Sequence, residues 1–496
     1  MKKINIYILG LMSILLSMSC NDAIDITQPG RFSADNAFQN VDDLQLGLLG
    51  AYNQLDVTDQ ISFCATFTDE MAIGFDNGGQ GLGDGRYGYI LNATSIIPGR
   101  TWTDHYDAIN ASTRLIEAGP TLEVDAARQV EFNNILGQAH AIRAWSHFVL
   151  FSYFTTDYTN DAALSAIAID FIPELTIEPG RSTVGEVVSL INSDLDSAAS
   201  LLDGDTSDNA FMNVDFVTAL RARLAAYRQD YGAAAGFAAQ LSARYPLADQ
   251  TQYFDMYDDL DDTEIIFRLE RAIGDPYDAQ RTEGGGWAGA LFAFVDATID
   301  GSPYFEMSRS LFNCMEEGDV RLERMVDPTS IIDPDYLTSP DARASDVLVI
   351  RKYPGSDGQP LMNDLKVFRS SEMVLIQAEA AAATGDLGGA ASFIKQIRDA
   401  RYGSDQPSPS YGSATAAFED ILKERRVELA FEGHRYLDIK RLGARAGVTI
   451  DRDPVDCAVN ASCNSPSSDD FRFTLPIPQV ELNANSVIRE QQNPGY

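Results

Sequence analysis

Two glycine-rich stretches hold residue types that could grip a sugar. The first, residues 72–100, contains Phe75, Asp76, Asn77, Arg86, Tyr87 and Tyr89. The second contains Glu283, Trp287, Phe292 and Tyr304. Saccharides offer C–H faces that stack on flat rings and hydroxyls that need polar partners, and both stretches supply the combination. Trp287 is the sharpest candidate. Gly284, Gly285, Gly286 and Gly289 surround it, letting the backbone withdraw so that a large ring can stand exposed. The alternative for this tryptophan is ordinary burial, its average fate in proteins. Long irregular stretches in compact domains tend to be functional.

Other chemistries find less support. The chain has no His-Glu-x-x-His, nucleophile elbow, phosphate loop or paired-cysteine metal motif. With 73 acidic residues, no carboxylate pair can be singled out for glycoside hydrolysis. His140 and His147 share a helix face, but the aromatics around them point to packing rather than metal. Gly78-Gly79-Gln80-Gly81 is one copy of a calcium-repeat-like run with Gly83 where Asp is required. The acidic residues between Asp255 and Glu264 lack the spacing of a calcium loop and read as a solvated turn. No catalytic set, cofactor or metal is expected.

The elements that must position the two stretches read as helices. Ile421–Gly443 places Arg425, Glu428, Glu432 and Arg435 on one narrow stripe, with apolar residues around most of the remaining circumference. Such a segment reads as buried nearly all round, its charges tolerated only as pairs, with Gly433 bending it or ending its first half. The alternative is a solvated charged helix. Residues 222–241 align with 378–397 at a constant offset, sharing Ala222/Ala378, Asp230/Asp386, Gly232/Gly388 and Phe237/Phe393. Each copy reads as helix, Asp-x-Gly turn, helix, the logic of tetratricopeptide-like pairs, although the copies are not tandem. Further helices are expected after Asp42-Asp43 as caps, around Trp102–Ile109, and from about Ala127 to Phe154. Phe471 onward begins like a strand that prolines stop. The expected fold is mainly helical, with one loop-rich lobe.

The amino terminus reads as an export signal over residues 1–19, with a tether over 20–31. Cys20, directly after small residues, marks lipoprotein processing; the alternative is a secreted protein with a free Cys20. Removing residues 1–19 takes away two lysines and no acid, leaving 35 basic against 73 acidic side chains, a charge of −38. That charge opposes binding to nucleic acid or anionic lipid by the body of the protein. Cys457 and Cys463 enclose five residues and suit a local disulfide in an oxidising compartment, whereas the pairing of Cys64 and Cys314 stays open.

The run Arg425-Arg426-Val-Glu-Leu-Ala-Phe-Glu-Gly-His434-Arg435, the endings Leu475-Pro-Ile-Pro478 and Asn493-Pro-Gly-Tyr496, Trp102-x3-Tyr106-x2-Ile109 and Arg398-x2-Arg401 together resemble the SusD/RagB family of surface nutrient-binding lipoproteins of Bacteroidota. Ser17 stands where the lipobox usually has Leu, and Ser486-Val487 where the family usually has Asn-Pro. The resemblance implies a single domain over residues 32–496. In it, four tetratricopeptide-like helical pairs lie within about 102–155, 213–245, 371–401 and 415–443, and the loop-rich lobe spans about 60–100 and 246–370. It implies a non-catalytic protein, lipid-anchored in the outer membrane and facing the cell surface. Such a protein captures oligosaccharide, or peptide in some branches, for a SusC-like TonB-dependent transporter.

Overall fold

The structure is a computed structural model and describes residues 37–74, 77, 79, 85–174, 176–274, 286–292, 303 and 305–496. The signal, the tether and Cys20 lie outside the described residues, as do Phe75, Asp76, Glu283 and Tyr304. The scaffold is helical: α1 (Val41–Tyr52), α2 (Thr58–Phe67), α3 (Ile96–Ala118), α4 (Gln129–Phe154), α5 (Val184–Leu201), α6 (Val214–Tyr227), α7 (Tyr231–Arg244), α8 (Gln250–Met256), α9 (Val320–Met325), α10 (Ser370–Thr384), α11 (Leu387–Tyr402), α12 (Ala414–Glu428) and α13 (Arg435–Ala446). Among the short strands are β1 (Met71–Ile73), β2 (Ile265–Leu269), β3 (Phe305–Met307) and β4 (Leu365–Arg369), with β1 antiparallel to β3 and β2 to β4. No described helix is long and apolar enough to cross a membrane.

Helices pack in sequence-adjacent pairs, α3 on α4, α6 on α7, α10 on α11 and α12 on α13, with α5 between α4 and α6. The two repeat copies have the same turn. Asp230 and Asp386 cap their second helices at φ/ψ of −79/73° and −79/74°, accepting from Ala233 N–H and Gly389 N–H. Gln229 and Gly385 before them are both left-handed, and each Asp N–H donates to the carbonyl five residues back, Ala225 or Ala381. The copies are distant in sequence yet touch in space, because α7 packs on α10. α4 is buried at every position from Ala141 to Phe154, its polar members Arg143 and His147 held by hydrogen bonds to Asp194 and to the helix backbone.

Several expectations are revised. Asn40, not Asp42-Asp43, caps α1, because its side chain reaches the N–H groups of both aspartates. α5 was not anticipated, although Thr183 and Glu186 form a reciprocal capping box at its start. Phe471–Phe473 is a 3-10 turn rather than a strand: Arg472 N–H and guanidinium both return to Asp470, and no neighbouring edge among the described residues pairs with it.

The stretch 421–443 is two helices. α12 stops at Glu428, and the turn to α13 uses left-handed backbone at Phe431 (φ 62°) and Gly433 (φ 84°). Its charged stripe is buried as expected, but the four residues do not pair with one another. Arg425 donates to Asp438 at 2.8 Å and Arg435 grips Asp69 with two 2.8 Å bonds. Glu428 meets Arg369, Arg401 and Arg321; Glu432 meets Arg369, Lys352 and the Tyr257 hydroxyl. Burial alone would raise the Glu432 carboxyl, but Arg369 and Lys352 outweigh it and hold it at about 2. The acidic run beginning at Asp255 is likewise engaged rather than solvated. Glu264 pairs with Arg369 and Arg401, Asp258 with Arg324, and Asp259 with Lys366.

Candidate ligand site

The strand pair β1–β3 sets where the first glycine-rich stretch begins and the second ends. Its register is Met71 opposite Met307, Ala72 opposite Glu306 and Ile73 opposite Phe305. The first stretch leaves β1 after Ile73 and the second enters β3 at Phe305, so both are rooted at the same end of one two-stranded ribbon. Arg343 ties that end by donating to Gly74 O at 2.6 Å.

α2 is the second organiser. Arg86 of the first stretch donates to Ser62 Oγ at 3.1 Å, and the 288–291 turn of the second packs on the same helix. Arg271 joins the second stretch to the start of α2, donating to Gly286 O at 3.0 Å and to Asp56 Oδ1 at 2.8 Å. Across from them, Arg100 at the head of α3 pairs with Asp59 at 3.2 Å. One turn further on, burial and the Asp59 carboxylate push Asp104 up to about 6. Three carboxylates and three guanidiniums thus meet where both stretches dock. Next to Arg271 opens a pocket of about 230 Å³ lined by Tyr52, Leu55, Phe211, Leu269 and Glu270, with Tyr52 edge-on to Phe211 at 5.3 Å.

Of the residues anticipated from sequence, Arg86 is half-buried in this cluster, while the described aromatics are enclosed. Trp287 is only 5% exposed and sits in a small apolar cluster with Ala290, Leu361 and Met362, not as a standing platform. Gly289 serves a different purpose from the one expected. A Cβ there would lie 2.6 Å from Tyr353 O and 2.7 Å from Leu361 Cα, so glycine lets the turn press onto that backbone and carry the tryptophan inward. Phe292 meets Phe431 edge-on at 5.2 Å. Tyr87 and Tyr89 spend their faces on Arg452, which stacks 3.9 and 4.3 Å from the two rings. Their hydroxyls reach Asp456 O and Ser465. That buttress is held by the Cys457–Cys463 disulfide, while Cys64 and Cys314 are free. Asn77 is buried, its Oδ1 accepting from Gly79 N–H.

The histidines are structural. His140 bonds Asp194, and His147 spans Arg143 O and Ile169 N–H. No group of three metal-ligating side chains occurs among the described residues. Sequence reasoning missed Asp56, Asp59 and Asp104, whose one signal was their clustering at the starts of α2 and α3.

Residues 329–496 match the family model described as the SusD family, and residues 45–226 match one described as "Starch-binding associating with outer membrane". The chain belongs to the SusD/RagB family. A SusD-like protein, P38, of Formosa agariphila is 24% identical, covering 91% of this chain and 95% of that protein. Among solved structures, a SusD superfamily protein of Bacteroides thetaiotaomicron superposes with a TM-score of 0.76 at 26% identity, covering 92% of this chain and 100% of that one. Surface glycan-binding protein A of Bacteroides fluxus shares the fold, with a TM-score of 0.69 at 20% identity over 92% of this chain and 100% of its own.

Proposed function

We propose that this SusD/RagB chain is a cell-surface lipoprotein that captures oligosaccharide and delivers it, without catalysis, to a partner TonB-dependent outer-membrane transporter. The observation that carries the reading is the Ile73–Phe305 pairing, which roots two aromatic and polar stretches at one place. In this reading Arg86 and the candidates Phe75, Asp76, Glu283 and Tyr304 contact the ligand, while buried Asn77 shapes the first stretch behind them. Tyr87, Tyr89, Trp287 and Phe292 form the site's packed base. Cys20, acylated after loss of residues 1–19, supplies the membrane contact that a strongly acidic body does not.

Calorimetric titration of the mature chain with oligosaccharides and with mixed peptides tests the ligand. Saccharide binding, weakened at least tenfold in Arg86→Ala at unchanged melting temperature, is expected. Full affinity in that variant removes the first stretch from the site, and binding of peptides alone favours peptide capture by the same transporter system. Fatty-acid labelling in cells is expected to vanish in Cys20→Ala, and co-purification of an outer-membrane barrel with the wild-type chain tests the partner.

A further inference from the structure

We infer that a cavity inside the scaffold, separate from the two glycine-rich stretches, binds a small neutral molecule that carries both hydroxyl or amide groups and C–H surface. The cavity measures about 60 Å³ and lies where α2, α4, α6, β4 and the turn from α12 to α13 meet. Four polar side chains reach it with hydrogen-bonding capacity unmet among the described residues. Gln60 of α2 directs its Nε2 to His105 at 3.2 Å, and its buried Oε1 has no donor. Tyr153 of α4 and Tyr227 of α6 are 3% and 5% exposed and line the cavity, yet neither hydroxyl makes a hydrogen bond among the described residues. His434 closes the turn and lines the same cavity, its ring nitrogens likewise unbonded among the described residues. Burial lowers this histidine to about 4, so the ring is neutral and presents one donor and one acceptor. Tyr153, Tyr227 and His434 all lie in the field of Arg223, which brings their unmet groups to one place.

Buried polar groups are normally satisfied, and several left open around one cavity favour an occupant that bonds them. The walls set its class. The charged side chains that line the cavity are already matched: Arg223 grips Glu372, Lys366 meets Asp259, and Glu432 meets Arg369 and Lys352. A charged guest would be desolvated there with no counter-ion, so the guest is neutral. The rest of the wall is apolar, formed by Trp145, Phe148, Val149 and Leu437 among others. Water satisfies the polar groups but gains nothing from that wall, whereas a diol or a simple amide serves both. At ~10–15 Å³ for each water-sized position, the cavity takes about four to six non-hydrogen atoms.

Ligand-observed saturation-transfer NMR on the mature chain tests this with ethylene glycol, glycerol and acetamide, and with acetate and methylammonium as charged counterparts. Saturable transfer is expected from at least one neutral probe, with a Kd on the order of 1 mM for so few atoms, and none from the charged ones. The double variant Tyr153→Phe/Tyr227→Phe keeps both rings, including the one under Arg441, and removes only the hydroxyls. It should weaken binding about tenfold with no loss of melting temperature, because those hydroxyls bond nothing in the protein. Should the variant fail to fold, a crystal of the wild-type chain soaked in the tightest probe decides, with density for the probe expected between His434 and Tyr227. No transfer from any probe, equal transfer from the charged ones, undiminished binding in the folded variant, or ordered water alone in the soaked cavity overturns the inference. None of these outcomes touches the glycan reading, which rests on a different part of the molecule.

Discussion

Two charged regions of this molecule contain the same residue types and behave in opposite ways. In the scaffold core, Glu264, Glu428 and Glu432 are interleaved with Arg321, Arg369, Arg401 and Lys352, every one of these side chains at most 3% exposed. Burial pushes the Glu428 carboxyl up, and three guanidiniums overturn that and hold it well below the carboxylate range. Where the starts of α2 and α3 face each other, Asp59 and Asp104 are only half-buried, yet burial and neighbouring carboxylates (Asp56 for the first, Asp59 for the second) leave both carboxyls raised. The difference lies in partner count. Where each carboxylate meets two or three cations, the cluster is fixed and closed; where carboxylates match or outnumber cations, acceptor capacity is left for something else.

Breaking the core should have the largest effect. Glu428→Ala removes the carboxylate that three buried guanidiniums share, although each keeps another acidic partner, and is expected to cost ~3–5 kcal/mol in denaturant unfolding, or to prevent folding. A loss under about 1 kcal/mol, typical of exposed pairs, would erase the contrast between the two regions. Trp287→Ala should come next, at about 3 kcal/mol with a lowered melting temperature, because the ring is enclosed. An unchanged melting temperature would mean that the ring is not held in its apolar cluster in solution.

The pH profile separates the regions more gently. Glu432 and Asp438, both held at about 2, have folded values below their unfolded ones. Their stabilisation is present above about pH 4.5 and is lost as pH falls toward 2. Asp104, lifted to about 6, has the opposite sign: its ionisation weakens the fold above pH 6, and protonation between pH 6 and 4 relieves it. Glu70 and Asp456, each raised to about 7 chiefly by burial, add to that relief. Against that relief, His105, His147 and His434, each held at about 4 chiefly by burial, cost stability as pH falls below about 6.5, so the carboxyl contribution alone peaks near pH 5. The smallest effect is expected for Asp104→Asn, within about 0.5 kcal/mol at neutral pH, flattening the rise between pH 7 and 5. A profile unmoved by that substitution would assign the rise to Glu70 and Asp456.

Much of this was legible in the chain. The repeat at 222–241 and 378–397 was visible because helix–turn–helix units impose local rules, and the shared Asp-capped turn obeys them to within a degree. The buried stripe on 421–443 was visible because apolar residues around a charged line leave it no solvent. Its partners were not: Asp69 lies 366 residues from Arg435, and Asp438 lies 13 from Arg425 across a turn, and no periodicity encodes either. For Trp287 the sequence left exposure and burial both open, since the glycines that could expose a ring also let backbone close over it.

By itself, then, the sequence determined the features that local geometry and composition dictate: helical pairs, the capped turns, the charge that repels polyanions and the family that its motifs spell out. Only the tertiary structure decided which of two stretches some two hundred residues apart become neighbours, and which arginines remain available to a ligand. Both depend on pairings such as Ile73 with Phe305 and Arg100 with Asp59, whose partners the chain brings together only once its core has closed.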